Sequence, residues 1–414
     1  MNSIFPGAHL GEVRYEIRGA LARRARELEA QGRQVVHLNI GNPGRFGFRA
    51  PELLQAAMAN GLGRSDGYCQ EQGLSEAREA IAERQLRRGA RVGDIDHVFI
   101  GNGVSELIDM ALRALLNPGD EVLIPSPDYP LWSAATILNG GRSRYYPCRA
   151  DRGHLPDPDE IESMITPCTR ALVIINPNNP TGAVYPRTVL QQLVALAERH
   201  GLLLLADEIY DGIVYDEARF EPLAPLAGDV PCVSFCGLSK VHRACGYRVG
   251  WMSLSGATQA LAGYRDGLQL LAALRLCANV PGQWAIKPAL DSDTSIEALV
   301  QPGGRLHAAR QAVLDGVAAS DFLQLVKPQG ALYAFPSVSP DALPDFDDDA
   351  FALRLLEEES VLLAPGCSFN TGNRRHLRLT LLPEPAQLGD VLARMERVLQ
   401  RMAAASPASV ASVA

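Results

Sequence analysis

The sequence predicts an α/β protein with a large, mostly parallel-sheet domain and a smaller α+β domain. Three observations carry that expectation. Short apolar runs recur through the middle of the chain, at 98–100, 121–124, 171–175, 202–206, 233–236 and 249–252. Between several of them lie amphipathic stretches with apolar residues at helical spacing, such as Arg187–Arg199. After residue 290 the order changes: helical stretches at 305–318, 349–358 and 386–402 surround short strands at 331–335, 361–364 and 376–380. Alternating strand and helix imply a mostly parallel sheet covered on both faces.

Taken in order, residues 1–30 read as an arm followed by a helix at Ala20–Ala30. Val35–Ile40 is an apolar strand assigned to the small domain, which would comprise 31–49 and 291–403. The large domain would span 50–290. Asn117-Pro118-Gly119, Asn139-Gly140-Gly141 and Asn179-Pro180 mark turns. The Ala/Ser/Val-rich tail at 404–414 is expected to fray.

Composition narrows the function classes. The 414 residues are 47% apolar and 21% charged, with a formal charge of −8. That is too apolar for a disordered chain and has no basic excess for general nucleic-acid binding. No apolar run reaches the ~18 residues of a membrane span, and the N-terminus lacks the pattern of a signal peptide. Eight scattered cysteines form neither a disulfide framework nor a C-x-x-C metal pair; Cys232, Cys236 and Cys245 read as free thiols rather than zinc ligands. A cytoplasmic protein without metal is expected.

Four segments carry candidate chemistry. Ser239-Lys240 follows the strand at 233–236, and small residues flank the lysine, which suits entry into a pocket; Arg248 opens the next strand. The strand at 171–175 ends in Asn176-Pro177-Asn178-Asn179-Pro180-Thr181-Gly182. Proline there stiffens the turn and would hold an asparagine amide at the carboxyl end of a strand, where open α/β sheets bind ligands. Asp207 ends another buried run, with Tyr210 three residues on; such an acid is a helix cap or a ligand group. Gly101-Asn102-Gly103-Val104-Ser105-Glu106 follows a strand and opens a helix, whose free N–H groups suit a phosphate. Glu106 stands where a dinucleotide fingerprint needs its third glycine, and no Walker lysine follows.

Together, the Asn-Pro-Thr-Gly turn, Asp-Glu-Ile-Tyr, Ser-Lys and Gly-x-Arg-x-Gly-Trp, in that order, resemble the class I/II pyridoxal-phosphate aminotransferases of fold type I. The strings at 38–43, 127–132 and 275–281 resemble the bacterial glutamate–pyruvate (alanine) branch. The resemblance implies that Lys240 carries pyridoxal 5′-phosphate and shuttles the substrate proton. It implies that Asp207 pairs with the pyridine nitrogen, that Asn179 and Tyr210 hold the ring oxygen, and that Tyr129 covers a ring face. Val104, Ser105, Ser239 and Arg248 would hold the phosphate, with Gly237 standing where many relatives carry Ser or Thr. Tyr68 would reach the phosphate of a neighbouring subunit, implying a homodimer. Arg378, with Asn179 and the Gly41 backbone, would take the substrate carboxylate; nearby Arg374 and Arg375 read as surface charges. Tyr15 and Arg18 fall in an arm that would cover the site, with Arg18 either meeting a distal carboxylate or solvated.

The implied activity is transamination between an amino acid and a 2-oxo acid, alanine and 2-oxoglutarate first. A lyase on the same cofactor, or a shifted amino-acid preference, is the alternative, because fold alone does not choose the reaction. The residues around the lysine, Cys236 and 241–245, depart from the alanine branch. A transcription regulator on this fold would need a basic helix-turn-helix segment, for which residues 1–34 leave no room.

Overall fold

A computed structural model describes residues 4–14 and 19–405. After a short β1 (Val36–His37) come the strands of the main sheet: β2 (Val98–Gly101), β3 (Glu121–Ser126), β4 (Arg142–Pro147), β5 (Thr169–Ile175), β6 (Leu203–Asp207), β7 (Cys232–Gly237) and β8 (Gly250–Ser255). Their order across the sheet is β2-β8-β7-β6-β5-β3-β4. β8 runs antiparallel to both neighbours and the other pairs are parallel.

Alternate residues of each strand enter opposite cores, as the pleat requires. Leu123, Leu172, Ile174, Leu204 and Ala206 face one side, with Leu190 and Leu193 of helix Arg187–His200. Val122, Ile124, Val173, Ile175, Leu205 and Phe235 face the other, with Leu107 and Ile108 of helix Val104–Leu115. Helix Arg187–His200 stops where Gly201 turns left-handed, with Arg199 and His200 in its last turn complementing the dipole. The structure adds β4, half-exposed at the sheet edge, which the apolar runs do not reveal.

A second core forms around helices Arg305–Ala318, Asp348–Glu359 and Pro385–Ala405. Asp347 caps the middle helix by accepting from Ala350 N at 2.9 Å. Phe351, Leu355, Met395 and Leu399 are buried here. The accompanying strands are very short: β9 (Leu323–Gln324), β10 (Tyr333–Ala334), β11 (Ser337–Val338), β12 (Val361–Leu362), β13 (Ala364–Pro365) and β14 (Leu377–Thr380). The expected strands at 331–335 and 361–364 thus shrink to paired dipeptides. β1 pairs with β12, and β14 lies between β10 and β13. Helix Ala20–Ala30 packs on this unit through Ala25 and Leu28 against Leu356 and Leu362. The last helix runs to Ala405, past the start of the tail expected to fray. Among the described residues, no helix is long and apolar enough to cross a membrane.

Phe351 is fully buried in this second core. Phe351→Ala should cost about 3–5 kcal/mol through the cavity it leaves, read as a lowered denaturation midpoint; a loss below about 1 kcal/mol would contradict this packing.

Candidate active site

A cavity of about 440 Å³ opens at the carboxyl ends of β5, β6 and β7 and is closed on the other side by β10 and β14. The sheet order explains its contents. β5 and β7 flank β6, so the loops after them bring Asn179 and Lys240 to either side of Asp207. Gly41, Val104, Ser105, Tyr129, Asn179, Asp207, Tyr210, Ser239, Lys240, Arg248 and Arg378 all line this one cavity.

Asp207 is the last residue of β6 and is 3% exposed. Trp132 Nε1 donates to its Oδ2 at 3.0 Å and Ile209 N to its Oδ1 at 3.3 Å. Burial pushes its carboxyl up to about 6, against those hydrogen bonds and the Lys240 charge. The group is therefore a buried acid short of positive charge. Trp132 is itself fixed edge-on against Phe235 of β7, with centroids 5.3 Å apart.

The turn after β5 is rigid and buried throughout 176–181. Asn178 Oδ1 accepts from Thr181 N and Oγ1 at 3.2 and 2.8 Å, and Asn176 Oδ1 from Tyr185 N at 2.9 Å. The turn thus leaves Asn179 to face the cavity, where its Oδ1 accepts from Arg378 Nη1 at 3.0 Å. Arg378 sits on β14 and is 2% exposed. Its Nη2 donates to the Asn39 carbonyl, and its guanidinium carbon lies 4.3 Å from the Tyr333 ring centroid and 4.6 Å from that of Phe369. Its buried Nε has no hydrogen-bond partner, a donor that suits an incoming anion.

Lys240 Nζ donates to the Gly41 carbonyl at 2.7 Å across the cavity. At the start of helix Val104–Leu115 the backbone is left bare on purpose of fit. A Cβ on Gly250 would lie 2.5 Å from Val104 N, and one on Gly103, at φ +87°, 2.2 Å from Arg248 Nη2. Arg248 reaches this helix end from a left-handed backbone (φ +52°) and donates to the Asn102 and Cys245 carbonyls at 3.1 and 2.7 Å. Glu106, in the position that excluded a dinucleotide fingerprint, accepts from Asn102 N and from Arg275 Nη1 at 2.8 Å, bracing the loop. Asn279 donates to Asn102 Oδ1 and to the Arg248 carbonyl. Gly237 has a steric reason: its Cβ would stand 2.7 Å from the Val249 carbonyl oxygen.

Some expected residues lie elsewhere. Tyr68 is 80% exposed and does not line this chain's cavity. Tyr15 and Arg18 lie outside the described residues. Arg374 is exposed and pairs with Asp347 and Asp349 at 2.7 and 3.0 Å. Arg375 corrects the expectation of a surface charge. It is half-buried and donates to the carbonyls of Val338, Ser339, Leu343 and Pro344, tying a loop rather than awaiting a ligand.

Sequence reasoning missed four contributors. Trp132 was visible only as part of a string, because an indole that holds a carboxylate looks like any core aromatic. Tyr333, in Gly330-Ala331-Leu332-Tyr333, lines the cavity beside Arg378. Arg275 and Asn279 act from a distant segment; the sole signal was polar residues set in the apolar string at 275–281.

The chain was compared with known proteins. Residues 33–395 match the family model for aminotransferase class I and II. An alanine aminotransferase of Mycobacterium tuberculosis is 47% identical over 393 residues, covering 95% of this chain and 92% of that protein. The glutamate–pyruvate aminotransferase AlaA of Escherichia coli K12 is 44% identical, with 96% and 98% covered. A crystal structure of an Escherichia coli aminotransferase superposes with a TM-score of 0.94 at 44% identity, covering 96% of this chain and 99% of that one. An alanine aminotransferase from Pyrococcus furiosus gives 0.89 at 32% identity, with 96% and 100% covered. With its seven-stranded sheet, its cavity and these relatives all in agreement, the chain belongs to the class I and II aminotransferases.

Proposed function

We propose that this enzyme transfers the amino group between alanine and 2-oxoglutarate, giving pyruvate and glutamate, with pyridoxal 5′-phosphate as cofactor. The observation that carries the reading is the convergence of Lys240, Asp207 and Arg378 on one cavity. The choice of alanine rests on relatives named for that activity at 44–47% identity.

The residues fit the cofactor on three counts. Asp207 is a buried carboxyl lacking a cation, which a protonated ring nitrogen would supply. The bare helix end at Val104 and Ser105, with Ser239 and Arg248 beside it, matches a phosphate. Lys240 provides an amine between them. When bound, pyridoxal phosphate supplies an aldehyde that takes up the amino group and a ring that withdraws electrons.

This chain's residues would then do the following. Lys240 would be the point of attachment, and its Nζ, once released, would take the substrate's Cα proton and deliver it across the intervening nitrogen to the cofactor's aldehyde carbon. Asp207 keeps the ring nitrogen protonated. Asn179 and Tyr210, which line the cavity, would hydrogen-bond the ring oxygen, and Tyr129 would cover a ring face. Arg378, already aligned by Asn179 and two aromatic faces, takes the substrate carboxylate with the help of the Gly41 backbone. Tyr68, exposed on the single chain, reaches the phosphate of a second copy, so the active unit is a homodimer. Tyr15 and Arg18 belong to the arm that covers the substrate. The chain divides into units at 50–290 and at 31–49 with 291–403, each with its own apolar core. Eight free thiols suit a reducing cytoplasm.

Alanine plus 2-oxoglutarate should yield pyruvate and glutamate in equal amounts; release of ammonia without glutamate would overturn the reading in favour of a lyase. Lys240→Ala should lose the yellow absorbance and about 10⁴-fold or more of the turnover, and a colourless variant of normal activity would refute the role of the lysine. Arg378→Lys should lower kcat/KM for alanine about 10- to 100-fold, mainly through KM, by removing the paired donors.

Asp207 also gives a pH prediction for the cofactor-free protein. Folded, it holds its proton up to about pH 6; unfolded, only to about pH 4. Its ionisation therefore weighs against folding above pH 6, and the penalty fades as pH falls toward 4. Asp207→Asn should be more favourable to stability at pH 8 than at pH 4 by on the order of 2–3 kcal/mol. Equal effects at both pH values, measured by denaturant unfolding, would contradict the raised carboxyl.

A further inference from the structure

The proposed reaction asks one cavity to accept two unlike side chains: the methyl of alanine and the carboxylate-bearing arm of glutamate. Among the described residues, the cations lining the cavity are Lys240, Arg248 and Arg378. The reading above gives them to the cofactor's aldehyde, its phosphate and the substrate's α-carboxylate. The distal carboxylate of glutamate is left to neutral donors. Tyr333, with its ring 4.3 Å from the Arg378 guanidinium, belongs to the α-carboxylate end. Two side-chain amides line the cavity, Asn42 and Asn179, and Asn179 is engaged with Arg378. Asn42 is the amide without a task.

Asn42 follows Gly41, whose backbone helps take the α-carboxylate, so its Cα lies one step, about 3.8 Å, along the same wall. Its orientation is set by Cys245, one of the residues near the lysine that depart from the alanine branch. Cys245 lines the same cavity, and its Sγ donates to Asn42 Oδ1 at 3.2 Å. Sulfur is a weak acceptor, so the amide oxygen, not the NH2, faces the thiol. Both N–H donors of Asn42 Nδ2 are thereby turned away from it. Among the described residues Nδ2 has no protein acceptor, and it is not sealed from solvent. Cys245 is held in turn, its carbonyl accepting from Arg248 Nη1 at 2.7 Å.

We propose that Asn42, oriented by Cys245, takes the distal carboxylate of glutamate and 2-oxoglutarate. A neutral amide suits this double duty. Toward a carboxylate its N–H groups make charge-assisted hydrogen bonds. With alanine bound it turns to water at little cost, whereas an arginine in its place would be left as an unpaired charge. This rests on the alanine–glutamate reading above and adds to it the residue that recognises the larger substrate.

The holoenzyme tests this through its two half-reactions, since kcat/KM for each amino donor reports its own half. Asn42→Ala should lower the ratio of kcat/KM for glutamate to that for alanine about 10- to 100-fold, as expected for a lost hydrogen bond to a charged group. Asn42→Asp, of the same shape, should lower it about 100-fold or more by like-charge repulsion. Cys245→Ala releases the amide and should lower the ratio about 3- to 10-fold; Cys245→Ser, which keeps a donor, should hold it within about 2-fold of wild type. Norvaline has glutamate's side chain with a methyl in place of the distal carboxylate. Its inhibition constant in Asn42→Ala should move less than about 2-fold. A ratio unchanged in Asn42→Ala and Asn42→Asp overturns the proposal, as does a loss as large for norvaline as for glutamate. A fall in the ratio that Arg18→Ala alone produces assigns the distal carboxylate to the N-terminal arm and likewise overturns it. A wild-type protein that transfers no amino group from either donor defeats the alanine–glutamate reading instead. Equal absorbance of the bound cofactor in all variants excludes a damaged cofactor site.

Discussion

A carboxyl buried at the end of the central strand is the constraint around which this molecule is arranged. Asp207 has given up water for two protein donors, and among the described residues its oxygens form no ion pair, the Lys240 charge acting on them only from a distance. Such a group is costly to a fold unless something else answers it. The strand order supplies the surroundings. β5 and β7 flank β6, so the Asn179 turn and the Lys240 loop emerge on either side of the acid. Helix Leu131–Leu138 delivers Trp132 from beneath, braced on Phe235. Every other feature of the cavity is placed relative to that point.

The sheet and the helical unit meet at this site through a shared apolar cluster, which joins Ile209, Tyr210 and Ile213 to Leu332, Tyr333 and Leu382, and through directed polar contacts. Arg378 of the second core bonds Asn179 of the sheet unit. Asn370 donates to Asp128 and to Ser133 at 3.0 and 2.9 Å, next to Tyr129 in sequence. Asp128 is fully buried, and desolvation pushes its carboxyl up to about 7, against the Asn370 and Ser133 contacts. The apolar cluster supplies the adhesion of this junction, and the oriented hydrogen bonds specify its geometry. Arg378 is thereby registered against the sheet.

Much of this was legible in the sequence because parallel strands are buried on both faces and read as unbroken apolar runs. The residues just past those runs are the ones the fold collects, which is why Asn179, Asp207, Lys240 and Ser105 could be named in advance. β4 escaped because an edge strand, half-exposed, alternates arginine, serine and tyrosine without an apolar signal. The dipeptide strands of the second unit are too short for any periodicity. Arg374, Arg375 and Arg378 are nearly adjacent in sequence, yet one pairs with surface acids, one ties four carbonyls and one enters the cavity. That division follows from the start of β14 at Leu377 and from a distant loop at 338–344, neither of which is local information. Tyr333 and Trp132 were missed for a related reason: their hydroxyl and indole N–H become functional only through partners over a hundred and over seventy residues away.

The helix end at Val104 meets Gly250 and Gly103 with no room for a side chain. The surface offered there is consequently in good part main-chain atoms, which amino-acid replacement cannot redraw except by obstruction, with Arg248 and Ser239 beside them. The facing wall at Tyr333 and Arg378 is written in side chains. Divergence on this scaffold is therefore lopsided: the anchoring end stays the same whatever the enzyme accepts, and a new preference has to be composed on the opposite wall.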